Sequence, residues 1–88
     1  MMPFSVVGML LSPPYDERVV KNTQGRDFVV DTARVYDTSM PYETGIESKY
    51  YNGGLWIIVE AYATQEKAAR GHEKWVKKMK QKPRKLYS

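Results

Sequence analysis

The sequence predicts an α+β fold: an antiparallel sheet of about four strands with one C-terminal helix packed across one face. Three observations predict it. Up to residue 62, short runs rich in Val, Ile, Thr and Tyr are separated by Gly, Pro and Asn, the signature of strands and turns. From residue 65 the pattern changes, and Ala68, His72, Trp75, Val76 and Met79 fall on one stripe at helical spacing. The chain has 88 residues and no cysteine, which leaves a single domain without disulfides or thiolate metal sites. That domain is expected over residues 1–82, with a basic tail over 83–88.

The elements follow in order. The apolar run MMPFSVVGMLL is too short to span a bilayer and lacks a basic leader, so residues 4–11 read as a buried strand. SPPYDE reads as a loop, because its two prolines remove backbone donors. RVVK and RDFVVDTARVYDT flank NTQG, which reads as a hairpin turn ending at Gly25. In the second arm Phe28, Val30, Thr32 and Arg34 alternate with Val29, Asp31, Ala33 and Val35. Neither face is cleanly apolar, so a twist or bulge is expected there.

The segment YETGIESKYYNGGLWIIVEAYA is the clearest hairpin. Asn52-Gly53 suits a type I′ turn, whose central residues both need positive φ. That turn sets Tyr50 against Leu55, Ile46 against Val59 and Thr44 against Ala61. The other face then pairs Lys49 with Trp56 and Glu43 with Tyr62. The Gly53-Gly54 alternative sets Glu47 against Glu60, a like-charge pair. The first register makes Leu55, Ile57, Val59 and Ala61 the core face and leaves Trp56, Ile58, Glu60 and Tyr62 on an open one. Thr64 is a good N-cap, Glu66 complements the helix start, and Pro83 ends a helix over residues 65–81. Gly71 in mid-helix predicts a close approach to the sheet.

Charge is unevenly placed. Residues 1–60 carry 5 Lys and Arg against 8 Asp and Glu, while residues 61–88 carry 9 against 2. Lys74, Lys77, Lys78, Lys80, Lys82, Arg84 and Lys85 crowd the C-terminal end. Two cations satisfy a helix dipole. The excess predicts contact with a polyanion, nucleic acid or an acidic protein surface.

Tyr42-Glu43-Thr44, followed by a hydrophobic strand and then Tyr62, Thr64, Glu66, Ala68, Gly71 and His72, resembles a family of short proteins of tailed bacteriophages. That family carries Phe/Tyr-Glu-Thr and then Tyr-x-Thr-x-Glu-x-Ala-x-x-Gly-His. The resemblance covers roughly residues 28–76, and the helix portion is the specific part. It implies a phage origin, hence the host cytoplasm during infection or the virion, rather than a mechanism. Residues 1–27 and the basic tail depart from the family pattern.

Candidate sites are few. His72, the lone histidine, lies on the apolar stripe and reads as a structural residue with Thr64, Gly71 and Trp75. Glu43 and Glu60 fall near each other on the expected open face, but no third ligand or acid accompanies them. No nucleophile elbow, phosphate loop or zinc spacing is present. The aromatics Tyr50, Tyr51, Trp56 and Tyr62 cluster on one hairpin among acidic residues, which favours a protein contact over nucleic acid there. The sequence thus predicts a non-enzymatic accessory protein without cofactor, metal, membrane or small-molecule substrate. Its basic helix and tail would hold a polyanion. The alternative is a virion component that contacts neighbouring subunits, or copies of itself, through its ends.

Overall fold

The computed structural model describes residues 14–36 and 39–86. The strand expected over residues 4–11 lies outside them. The fold class is the one the sequence predicts: four antiparallel strands in the order β1-β2-β3-β4, with a C-terminal helix across one face. A short helical turn, α1 (Tyr15–Arg18), leads into β1 (Val19–Gln24), β2 (Val29–Arg34), β3 (Tyr42–Glu47) and β4 (Ile57–Tyr62). The long helix α2 (Gln65–Lys80) follows and touches all four strands.

The first turn sits later than expected. Asn22, Thr23 and Gln24 belong to β1, and the chain reverses over residues 25–28, where the Gly25 N–H donates to the Phe28 carbonyl at 2.8 Å. Gly25 suits that place because a Cβ there would lie 2.2 Å from the Phe28 ring. The irregularity expected in the second arm falls on its partner: β2 is continuous, and β1 bulges between Val19 and Lys21.

The second turn has the expected chemistry. Asn52 and Gly53 adopt φ of 51° and 63°, and the Gly54 N–H donates to the Tyr51 carbonyl. The flanking register differs. Tyr42 pairs with Tyr62, Thr44 with Glu60 and Ile46 with Ile57, and β4 bulges at Val59, between Ile58 and Glu60. Ile57 and Val59 pack on the core while Ile58 stays exposed, and the extra residue at Val59 puts Glu60, opposite the buried Thr44, on the same face as Ile57. Beyond the bulge the faces exchange. Tyr62 and Glu60 turn towards α2, and Leu55, expected in the core, is 69 % exposed.

The core joins Val30 and Ile46 of the sheet to Trp75, Val76 and Met79 of α2, with Phe28, Tyr51, Ile57 and Val59 around them. Burying each large apolar side chain contributes about 1.5–3 kcal/mol. Thr64 caps α2 as expected, its hydroxyl accepting from the Lys67 N–H at 3.2 Å. After Lys80 the chain folds back, and Leu86 enters the same core.

Candidate functional site

Beneath α2 runs a buried polar seam to which every strand contributes. Thr23 of β1 lies 2.8 Å from His72 Nε2, and Thr32 of β2 lies 2.8 Å from His72 Nδ1. Thr32 meets Thr44 of β3 at 2.5 Å, and Thr44 lies 3.2 Å from the Tyr62 hydroxyl. Tyr62 in turn reaches Glu60 Oε1 at 3.1 Å. Glu60 Oε1 also accepts from Trp75 Nε1 at 2.8 Å and Lys74 Nζ at 2.6 Å.

Proton counting fixes the direction of this chain. An ionised carboxylate only accepts, so Tyr62 donates its single proton to Glu60. Thr44 then donates to Tyr62, Thr32 to Thr44, and His72 Nδ1–H to Thr32. Nε2 is left to accept from Thr23. The seam is fully satisfied with a neutral, Nδ1-protonated imidazole, and no buried side-chain polar atom among the described residues lacks a partner.

The titration behaviour follows from burial and these bonds. Desolvation holds His72 below its ordinary pKa. Desolvation also pushes Tyr62 up to about 12. Burial pulls the Glu60 carboxyl upwards, but the bonds from Lys74, Trp75 and Tyr62 outweigh it and hold the group below its usual value.

Gly71 is required by the same seam. A Cβ on it would lie 2.2 Å from the Tyr62 hydroxyl oxygen. Ala68, two turns from Trp75 along the stripe, is fully buried. Thr44, Tyr62, Thr64, Ala68, Gly71 and His72 therefore all take part in capping, close packing or the seam. His72 is buried between Thr23 and Thr32, Thr64 caps α2, and Trp75 is buried with its Nε1–H donating to Glu60.

Several expected neighbours are apart. Glu60 lies on the helix face in an ion pair with Lys74, whereas Glu43 lies on the opposite face of the sheet beside Trp56 and Ile58. The bulge at Val59 separates them, so Glu43 and Glu60 do not form a paired-carboxylate site. The aromatic cluster also divides. Tyr62 is only 6 % exposed under α2, and Tyr51 packs on the core while donating to the Pro83 carbonyl. Tyr50 and Trp56 remain at the surface. Among the described residues, no group of three His, Cys, Asp or Glu could hold a metal ion, and no helix is long and apolar enough to cross a membrane.

The basic end is sorted by pairing. Lys21 pairs with Glu73, Arg70 with Glu66 and Lys74 with Glu60. The bond from Lys21 lowers the Glu73 pKa. Lys77, Lys78, Lys80, Lys82, Arg84 and Lys85 have no carboxylate within 4.0 Å among the described residues. Lys78 lies over the Trp75 ring at 4.7 Å. Lys82 follows the helix cap with φ of 51°, its N–H donating to the Met79 carbonyl. Glycine is the usual residue there, and the left-handed conformation costs an L-residue about 1–2 kcal/mol.

Sequence reasoning did not find the threonine seam. Its one local trace is Thr32 and Thr44 at positions whose neighbours in alternation, Val30 and Ile46, are core residues. No protein-family model, curated protein or solved structure matches this chain.

Proposed function

We propose that this is a small binding protein, not a catalyst, that engages a polyanion through the C-terminal end of α2 and the segment that follows it. Nucleic acid is the partner whose charge density suits this surface best. The observation that carries the reading is the run of six cations from Lys77 to Lys85 with no carboxylate within 4.0 Å among the described residues, beside three others that are paired. The left-handed Lys82 adds support, since a charged residue stands where glycine would be more stable.

The test is fluorescence anisotropy with labelled DNA and RNA over a salt series. Six phosphate contacts give a log–log slope of about −5 on a duplex and about −4 on a single strand. Truncation is unsuitable as a control because Met79 and Leu86 are core residues. Changing Lys77, Lys80, Lys82, Arg84 and Lys85 to glutamine removes the charge and keeps the core. Binding that survives those changes, or a salt slope near zero, would refute the proposal.

A further inference from the structure

At one end of the molecule three segments converge: the 25–28 turn, the 48–56 connection and the last turn of α2. Between the first and third lies a cleft of about 320 Å³ lined by Arg26, Phe28, Met79, Lys80 and Lys82. A second hollow of about 240 Å³ adjoins it, sharing Asp27, Met79 and Lys82 and adding Tyr50 and Tyr51. Tyr50 is 64 % exposed, and the Lys49 ammonium sits 5.1 Å from its ring centroid.

From this arrangement we infer that the loop end is a binding site for unpaired nucleotides of single-stranded nucleic acid. The inference rests on the polyanion reading above and names its substrate class. Unpaired bases present π-faces that a duplex hides, and exposed aromatics beside cations are the usual way to hold them. Tyr50 supplies the exposed ring. Arg26, Lys80 and Lys82 line the two hollows together with the acid Asp27. Lys49, beside the Tyr50 ring, and Glu47 line a neighbouring hollow that shares Arg26 and Asp27.

The hairpin's acidic residues argue against nucleic acid when read from sequence. The structure removes two of them from this end. Glu60 is turned under α2 and paired, and Glu43 lies on the far face of the sheet. The fold brings Arg26, Lys80 and Lys82 in their place, from positions distant along the chain. The larger hollow, about 320 Å³, is near the lower end of the roughly 300–1,000 Å³ range of small-molecule clefts, which suits a base.

The experiment compares a labelled oligo(dT), a duplex hairpin of equal length and inorganic polyphosphate as a baseless competitor. Wild type, Tyr50→Ala, Tyr50→Phe and Lys80→Gln/Lys82→Gln are measured across salt. Wild type should prefer the single strand over the duplex. Tyr50→Ala should lose roughly 5- to 150-fold on oligo(dT), keep its affinity for polyphosphate, and keep its salt slope. Tyr50→Phe should retain binding, and the double lysine variant should lower the slope. Equal binding of single strand and duplex, with Tyr50→Ala indistinguishable from wild type, overturns the stacking site and leaves the polyanion reading standing. Equal weakening of all three ligands by Tyr50→Ala also overturns it. Failure of every ligand to bind at low salt overturns both readings.

Discussion

Gly71→Ala sets two physical effects against each other. Alanine is favoured over glycine in mid-helix by about 1 kcal/mol, so an isolated helix would gain. In this protein the new Cβ would lie 2.2 Å from the Tyr62 hydroxyl oxygen and 2.3 Å from two of its ring carbons. Tyr62 is rigid, buried and bonded to both Thr44 and Glu60, so it cannot swing aside without breaking those bonds. Overpacking costs about 1–3 kcal/mol, and leaving buried polar groups unpaired costs about another 1–3. Net destabilisation should be about 3 kcal/mol after the helical gain, or a fall in Tm of roughly 12–24 °C for a domain of this size. Urea unfolding followed by far-UV circular dichroism measures it. In a Tyr62→Leu background, which lacks all three clashing atoms, the same substitution should be neutral or stabilising by up to about 1 kcal/mol. A Gly71→Ala protein as stable as wild type would refute the close-approach argument.

Other outcomes follow from the same seam and from the helix end. His72 is depressed in the folded state, so the unfolded chain binds the extra proton; stability is complete above about pH 6.5 and falls as pH drops below it. Urea melts between pH 5 and 8, set against His72→Gln, should show that slope in wild type and a flatter line in the variant (~1 proton difference). Tyr62 is raised to about 12, so its contribution holds below the unfolded value near 10 and is lost as pH climbs from 10 towards 12. Burial and the bond to Asp31 also raise Tyr15, so an alkaline absorbance titration should show a late phase that shrinks by one tyrosine in Tyr62→Phe; a single early phase for all tyrosines would contradict the buried hydroxyl. Lys82→Gly should stabilise the fold by up to about 1 kcal/mol by relieving its left-handed backbone while weakening polyanion binding at low salt. A drop in Tm would show that the residue is not strained.

What the sequence made legible was local. Thr64 announces the helix because a cap acts within one turn, and Asn52-Gly53 announces its turn because both residues accept positive φ. The helical stripe is legible for the same reason, each member lying one turn from the next. The β3–β4 register was not legible. Ile57, Ile58 and Val59 are apolar without alternation, so the pattern cannot say where a residue is extruded. The like-charge clash used to reject one register does not arise, because Glu60 pairs with Thr44 across the sheet and meets Lys74 from α2. The seam was hidden because Thr23, Thr32, Thr44 and His72 meet only through strand pairing and helix docking. The loop-end cleft was hidden in the same way, since Arg26, Tyr50 and Lys82 are far apart along the chain.

The hydrogen-bond valences decide where a functional site can lie. An acid–base catalyst needs a group whose proton or lone pair is directed at a substrate. His72 has both nitrogens engaged by threonine hydroxyls, and the Tyr62 proton goes to Glu60. Glu60 Oε1 in turn accepts three donors. Opening that seam to a ligand would break bonds to all four strands at once. The cations from Lys77 to Lys85 present the opposite case. They exceed what the helix dipole uses, none has an acidic partner among the described residues, and Lys82 occupies a backbone position that favours glycine. Under the polyanion proposal these are the groups left to meet the partner, with Lys80 and Lys82 lining the hollows at the end of the fold where the Tyr50 ring is exposed.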